Sequence, residues 1–260
     1  MAFYKYREFS EKHLNALAEN KLWFARGATF NDPFDGEPPV NILTYESMAK
    51  FLRKRPLSSQ LTETQFSDIV IKQLDEARIL IKEGRFHEHA IYPFFYLIAA
   101  KVLRSFILCL SQTNTNVLMW SPYSKGHTGF CVQYNLDVLL NEMNVSRHND
   151  VVYSNMLPDV LSSLIDDEGT DLSKDILFQK AEDWGYEQEY RLILDELSEN
   201  ENDKDLSVEY SDDAIEKIYF GLKVEEKDKQ NLLDILSGKQ VEFYEMQRTS
   251  SSIGVYAKKI

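Results

Sequence analysis

The stretch Trp184-Gly185-Tyr186-Glu187-Gln188-Glu189-Tyr190-Arg191-Leu192-Ile193-Leu194 reads as a helix end turning into a strand, because aromatic, β-branched and leucine residues take over directly after a glycine. Successive side chains on a strand alternate faces, so Glu187, Glu189 and Arg191 are expected on one face and Gln188, Tyr190, Leu192 and Leu194 on the other. Two carboxylates and a guanidinium then stand about 7 Å apart per step. Like charges at that range raise each other's pKa and the arginine lowers them, an arrangement suited to holding carboxylates in defined protonation states. The same pattern also makes an ordinary solvated ladder on an edge strand, and the rest of the chain has to separate the two.

Working outward, further strands are expected at Phe3–Tyr6, Lys21–Arg26, Ser105–Ser111, Thr128–Tyr134, Asp150–Tyr153, Ile215–Phe220, Val241–Gln247 and Ile253–Lys258. Ser10 is placed to cap a helix that buries Leu14 and Leu17. Short helices are expected over Leu136–Met143, Leu157–Ile165, Asp171–Trp184 and Glu225–Leu236, and a solvated loop over Ser198–Lys204. Residues 43–104 read as three helices, Tyr45–Arg53, Thr64–Glu83 and His87–Arg104, that interrupt the series of strands. Strands scattered along the whole chain around a helical insertion indicate a single α+β domain over residues 1–260, with mixed, mainly antiparallel sheets. Before the insertion, residues 28–36 combine turn formers with two aromatics, so Phe30 and Phe34 are expected to pin a loop that holds Asn31 and Asp32 rigidly.

With 260 residues, 43% of them hydrophobic, the chain can bury a large core. Its net charge of −13 argues against a broad surface for duplex nucleic acid, where phosphate neutralisation supplies most of the affinity. Cys109 and Cys131 each fall in an apolar strand without a metal-like spacing partner, which suits buried thiols in a reducing compartment. The first residues lack an apolar signal core and no later segment reaches the roughly 20 apolar residues of a membrane span. A cytoplasmic protein with no membrane partner is expected. His87 and His89, two apart on a helix, point to different sides and read as surface histidines, so no metal set is expected from them.

A second constellation is Met119-Trp120-Ser121-Pro122-Tyr123-Ser124-Lys125-Gly126-His127, between two apolar strands. Trp120 and Tyr123 read equally as core packing or as ligand contacts. His127, following Gly126 at a strand mouth, sits where binding groups are commonly found.

Four motifs in this order, Tyr4-Lys5-Tyr6-Arg7, Phe30-Asn31-Asp32-Pro33-Phe34-Asp35, Met119-Trp120-Ser121-x-Tyr123 with His127-x-Gly129, and Trp184-x-Tyr186-Glu187-Gln188-Glu189-Tyr190-Arg191, resemble the bacterial family called domain of unknown function 2971. The order and spacing match over essentially the full length. A more distant resemblance is to ADP-ribosyltransferases, which share an early strand with an aromatic and a basic residue, a middle Ser/Tyr segment and a late strand opening with Glu-x-Glu. That likeness implies split sheets, NAD as a substrate, and an effector of toxin or defence type. It implies Glu189 as the catalytic carboxylate that holds the nicotinamide ribose hydroxyl, Glu187 as the group that engages the acceptor, and Tyr123 as the ring that stacks on nicotinamide. Lys5 or Arg7 would meet the pyrophosphate, with Tyr4, Tyr6, Asn31, Asp32, Trp120, His127 and Arg191 around the rest of the NAD. The acceptor would be a protein, a nucleic acid or water. The chain departs from that superfamily in offering Tyr-Lys-Tyr on the first strand and in lacking a Ser-Thr-Ser run.

Two other classes compete. Asp32, Asp35, Glu187 and Glu189 supply oxygen ligands for a divalent-metal hydrolase or nuclease, although Arg191 stands where such a site would place a lysine. In a non-catalytic interaction module, Trp120 is a structural pin and Glu187 and Arg191 form a salt-bridge ladder.

Overall fold

A computed structural model describes residues 2–35, 43–157, 176–195 and 204–260. In chain order its elements are strand β1 (Ala2–Arg7), helix α1 (Glu11–Ala18), β2 (Lys21–Arg26), α2 (Tyr45–Arg53), α3 (Glu63–Lys82), α4 (Tyr92–Arg104), β3 (Phe106–Ser111), α5 (Val117–Trp120), β4 (Phe130–Asn135), α6 (Leu136–Glu142), β5 (Arg147–Asp150) and β6 (Val152–Tyr153). They continue with β7 (Gln179–Lys180), β8 (Glu189–Leu194), β9 (Asp205–Glu209), β10 (Ile215–Phe220), α7 (Glu226–Ile235), β11 (Glu242–Arg248) and β12 (Val255–Lys259). Several of the helices begin where a side chain can accept an otherwise orphaned amide. The Ser10 hydroxyl takes His13 N–H, and Thr44 and Thr62 form capping boxes with Ser47 and Gln65, each cap contributing about 1 kcal/mol.

The chain divides into two compact units, one of Met1–Arg26, Phe106–Tyr153 and Glu182–Ile260, the other of Gly27–Ser105 and Ser154–Ala181. The fold class is mixed α+β, with a large, mainly antiparallel sheet in the first unit, as the scattered strands indicated. The strand order is β12-β11-β10-β4-β1-β3-β2-β9, with β8 also on β3 and β5 on β8. Only the β10–β11 pairing is parallel among the described strands of this sheet, and α7 lies between the two in sequence, as a parallel connection requires.

The two faces of this sheet differ in chemistry. One carries Phe3, Phe24, Leu108, Val132, Leu192 and Phe220 against Leu17 of α1, Leu139 of α6 and Leu232 of α7; fully burying each such side chain contributes about 1.5–3 kcal/mol. Paired residues share a face, so the register pairs Tyr4↔Ser111, Tyr6↔Cys131, Cys109↔Arg191 and Ser111↔Glu189 put all of these side chains on the opposite face. There Tyr6, Cys131, Tyr219 and Met246 pack with Met119 and Trp120. β1 meets β3 at the single position Tyr4↔Ser111, while β2 takes the far end of β3 at Ile107 and Phe106. Lys5 Nζ donates to the Cys109 carbonyl at 2.5 Å and so supplies a partner on the stretch of β3 between them.

The second unit holds three helices where three were expected over residues 43–104, the third starting at Tyr92 after a 3-10 turn over Phe86–Glu88 instead of at His87. α3 buries Phe66, Val70, Leu74, Ala77 and Leu80, spaced three or four apart, against Met48 and Phe51 of α2 and Ile91. Pro93 sits in the first turn of α4, where its missing N–H costs nothing. Two expectations fail here. Phe34 is 80% exposed and pins nothing, whereas Asp32 and Asp35 are buried, because the Asp32 carboxylate turns back to accept Phe34 N–H at 3.0 Å and Asp35 faces Lys180 Nζ at 3.5 Å. His89 is likewise buried, with Nδ1 accepting Ile91 N–H at 3.2 Å, while His87 stays on the surface.

The segment leading into β8 also differs from its expectation. Gln179–Lys180 is a strand and Glu182–Glu187 a 3-10 helix, in place of a helix reaching Trp184. Gln188 adopts φ 45°, which resets the alternation, and the strand starts at Glu189. Hydrogen bonds from distant residues impose this path: Ser111 Oγ donates to Glu187 O at 2.7 Å and Gln112 N–H to Gln188 O at 2.9 Å. The helix expected over Leu157–Ile165 lies, after its first residue, outside the described residues, as do residues 171–175 and nearly all of the Ser198–Lys204 loop. Both cysteines are free. Among the described residues, no helix is long and apolar enough to cross a membrane.

Candidate functional site

The end of β3 organises the polar face. Beyond Ser111 the chain passes through residues 112–116 into α5, which Asn116 caps by accepting Leu118 N–H at 2.9 Å. The Asn116 amide donates to Tyr186 O at 2.7 Å, so this loop is laced to the 3-10 turn before β8. Trp120, fully buried, donates its indole N–H to Asn114 O at 2.7 Å, meets the Tyr6 ring edge-on at 5.0 Å and stacks on His127 at 6.1 Å. Tyr6 donates its hydroxyl to Thr113 O at 2.8 Å. Trp120 and Tyr6 therefore hold the loop down and offer a ligand almost no surface.

The carboxylates sit beside this frame. Glu187 and Glu189 are each 4% exposed and Arg191 is 0% exposed. Arg191 grips Glu189 side-on, Nε to Oε1 at 2.7 Å and Nη2 to Oε2 at 3.2 Å, a two-point, charge-assisted contact. Glu187 is instead reached by Tyr123, whose hydroxyl donates to Oε1. In these contacts the two carboxylates meet different donors, and the left-handed Gln188 ends the shared face that an unbroken strand would have made. Tyr153, which the sequence did not single out, accepts Glu189 N–H at 2.7 Å. Nothing in the spacing signals it, since β8 and Tyr153 come together only in the folded chain.

β1 contributes the cations. Burial pushes Lys5 down to about 8, helped by Arg7 and opposed by Cys109 and by the carboxylates of Glu189 and Glu187. Arg7 is also pushed down by burial, and Tyr4, half-buried, is pushed up by it. His127 lies in a run of left-handed residues, Lys125, Gly126 and His127 at φ 51°, 68° and 69°. The chain is crowded there: a Cβ at Gly129 would come within 2.1 Å of the Arg7 carbonyl, and one at Gly221 within 2.4 Å of the His127 carbonyl. The glycine of the His127-x-Gly129 motif serves that close approach.

Residues 119–192 match the family model described as Protein of unknown function (DUF2971). The DUF2971 stretch holds Trp120, Tyr123, His127, Glu187, Glu189 and Arg191, and the match supports the family resemblance carried by the motifs. No curated protein and no solved structure matches the chain. Of the expected site residues, Lys5, Tyr6, Trp120, Tyr123, Glu187, Glu189 and Arg191 converge around the end of β3 in the first unit, joined by Ser111 and Tyr153. Tyr4 packs edge-on against Tyr219 at 5.9 Å, and Asn31 and Asp32 belong to the second unit. Among the described residues, no three His, Cys, Asp or Glu side chains gather as a metal site would need.

Proposed function

We propose that the chain cleaves the nicotinamide–ribose bond of NAD, as an ADP-ribosyltransferase or an NAD glycohydrolase, with Glu189 as the catalytic carboxylate. The observation that carries this reading is the side-on grip of fully buried Arg191 on Glu189, which fixes a carboxylate before any reaction begins. As the bond to nicotinamide breaks, its electron pair leaves with the base and positive charge grows on the ribose. A prepositioned carboxylate in a dry site stabilises charge that exists only in the transition state, and a hydrogen bond from the ribose hydroxyl to Glu189 orients the sugar. A protein or nucleic-acid acceptor then adds to the ribose carbon and passes its proton to Glu187; where water is the acceptor, it adds to the same carbon and its proton leaves to solvent. Tyr123, by hydrogen-bonding Glu187, orients that second carboxylate instead of stacking on nicotinamide. Lys5 is committed to the Cys109 carbonyl, and Arg7, opposite Phe130 and beside Tyr134 and Tyr210, shares the apolar face with Phe3, so neither is proposed as the pyrophosphate contact.

The test is nicotinamide release by the purified chain. Glu189→Gln is expected to lower the rate by about 10²–10³, the cost of losing one preorganised electrostatic group; because it also strands the buried Arg191 charge, its rate is compared at a temperature below the melting transition of the variant. Glu187→Gln is expected to lose transfer to an acceptor while retaining hydrolysis. Unchanged release by Glu189→Gln refutes the assignment. A second reading, a non-catalytic interaction module, is favoured by the near-complete burial of Glu189, Arg191 and Trp120; a folded wild-type chain that binds no NAD at millimolar concentration decides for it.

A further inference from the structure

Beside His127, which stacks on Trp120, stand three cations that the NAD reading does not use: Lys125, Lys223 and Arg248. Lys223 N–H donates to His127 O at 2.9 Å, which sets Lys223 directly beside the left-handed turn of Lys125, Gly126 and His127. Arg248 ends β11 opposite Val255, and Val255 packs in the same cluster as Trp120 and Met246. Register therefore sends the Arg248 side chain out on the Trp120 face of the sheet. Lys125, Lys223 and Arg248 are all exposed, and none forms an ion pair or side-chain hydrogen bond among the described residues. The Nδ1 atom of His127 is buried without a hydrogen-bond partner, and burial, Lys223 and Arg248 push its pKa down. Unpaired cations converging on one turn are unusual in a chain of net charge −13, which elsewhere pairs many of its lysines and arginines with carboxylates. Two left-handed residues other than glycine, each costing on the order of 1–2 kcal/mol, mark the same turn as strained.

We infer that His127, Lys223 and Arg248, with Lys125 at the rim, form a binding site for the phosphate group of a small molecule. Two cations without carboxylate partners among the described residues, one following β10 and one ending β11, present the charge-assisted donors that a phosphate needs. The strongly acidic remainder of the chain disfavours a nucleic-acid strand or an anionic membrane, which would have to approach over a much wider area. The site does not depend on NAD being the substrate.

The probe is inorganic pyrophosphate, titrated into the full chain labelled at its histidine rings, with His127 assigned through His127→Gln. A saturable shift of the His127 resonance is expected. Lys223→Ala and Arg248→Ala should each weaken binding about tenfold, whereas Lys12→Ala, at an exposed pair elsewhere on the same unit, should leave it unchanged. Thermal melts of the two site variants, which alter only exposed side chains, check that they are folded. No shift at millimolar pyrophosphate, or a shift that persists undiminished in the Lys223→Ala, Arg248→Ala double variant, overturns the inference. Tighter binding of a short single-stranded RNA than of pyrophosphate, lost in the same variants, overturns the small-molecule assignment.

Discussion

Replacing Arg191 by methionine is the sharpest test of how the candidate site is built. Arg191 has no exposed surface and contacts both oxygens of Glu189, itself 4% exposed, at 2.7 and 3.2 Å. Methionine fills much of the same volume, so the main loss is electrostatic, a buried carboxylate left without the guanidinium that neutralised it. Removing one partner of a buried pair costs about 3–5 kcal/mol. For a chain of this size that lowers the melting temperature by about 6–20 °C, at about 2–4 °C per kcal/mol. Calorimetry and urea unfolding at neutral pH measure the loss directly. Adding Glu189→Leu to the variant removes the stranded charge and is expected to recover about half of the loss or more, because a buried ion pair roughly breaks even against apolar residues of similar volume. A loss below about 1 kcal/mol, the scale of an exposed pair, refutes the claim that Glu189 and Arg191 form a desolvated unit, and with it the preorganisation on which the proposed chemistry rests.

Other expectations follow from single contacts. Tyr123→Phe deletes the hydroxyl that reaches Glu187 and should cost about 1.5–3 kcal/mol, the scale of a hydrogen bond to a charged group, read from urea midpoints. Gly129→Ala places a methyl 2.1 Å from the Arg7 carbonyl; backbone cannot yield there as a flexible side chain would, and a loss of about 1–3 kcal/mol is expected by chemical denaturation. Lys5 has its folded pKa depressed to about 8 from an ordinary 10.5. Between those two values the unfolded chain binds the proton that the folded chain releases, so the Lys5 contribution to stability rises with pH from about 8 to about 10.5 and is constant below about 8. Unfolding free energies of the parent and Lys5→Met, compared across that range, should diverge in the parent's favour by that slope, and a difference independent of pH would contradict it.

Several elements were legible before any fold was known. Ser10 followed by spaced leucines marked α1, and the apolar runs at Lys21–Arg26, Ile215–Phe220 and Phe106–Ser111 marked strands, because helix capping and side-chain alternation are local rules. β9 escaped notice since Leu206 and Val208 are separated and flanked by charged and polar residues, and only pairing with β2 makes a strand of them. Phe34 left its expected place for a comparable reason: the Asp32 carboxylate accepts its own turn's amide and is buried while Phe34 is not, and that bond is invisible in composition.

The residues Glu187, Glu189 and Arg191 were identifiable from sequence as a charged constellation, and the two later of the four spaced motifs fall inside the stretch that matches the family model. Their division of labour was not. Alternation predicted one shared face, whereas Gln188, held left-handed by bonds from the end of β3, ends that face; Tyr123 reaches Glu187 and Arg191 reaches Glu189. Local chemistry determines which side chains a strand can present. Which donor each carboxylate meets depends on residues between 36 and 76 positions away, such as Tyr153, Tyr123 and Ser111, and their placement is settled only when the sheet forms.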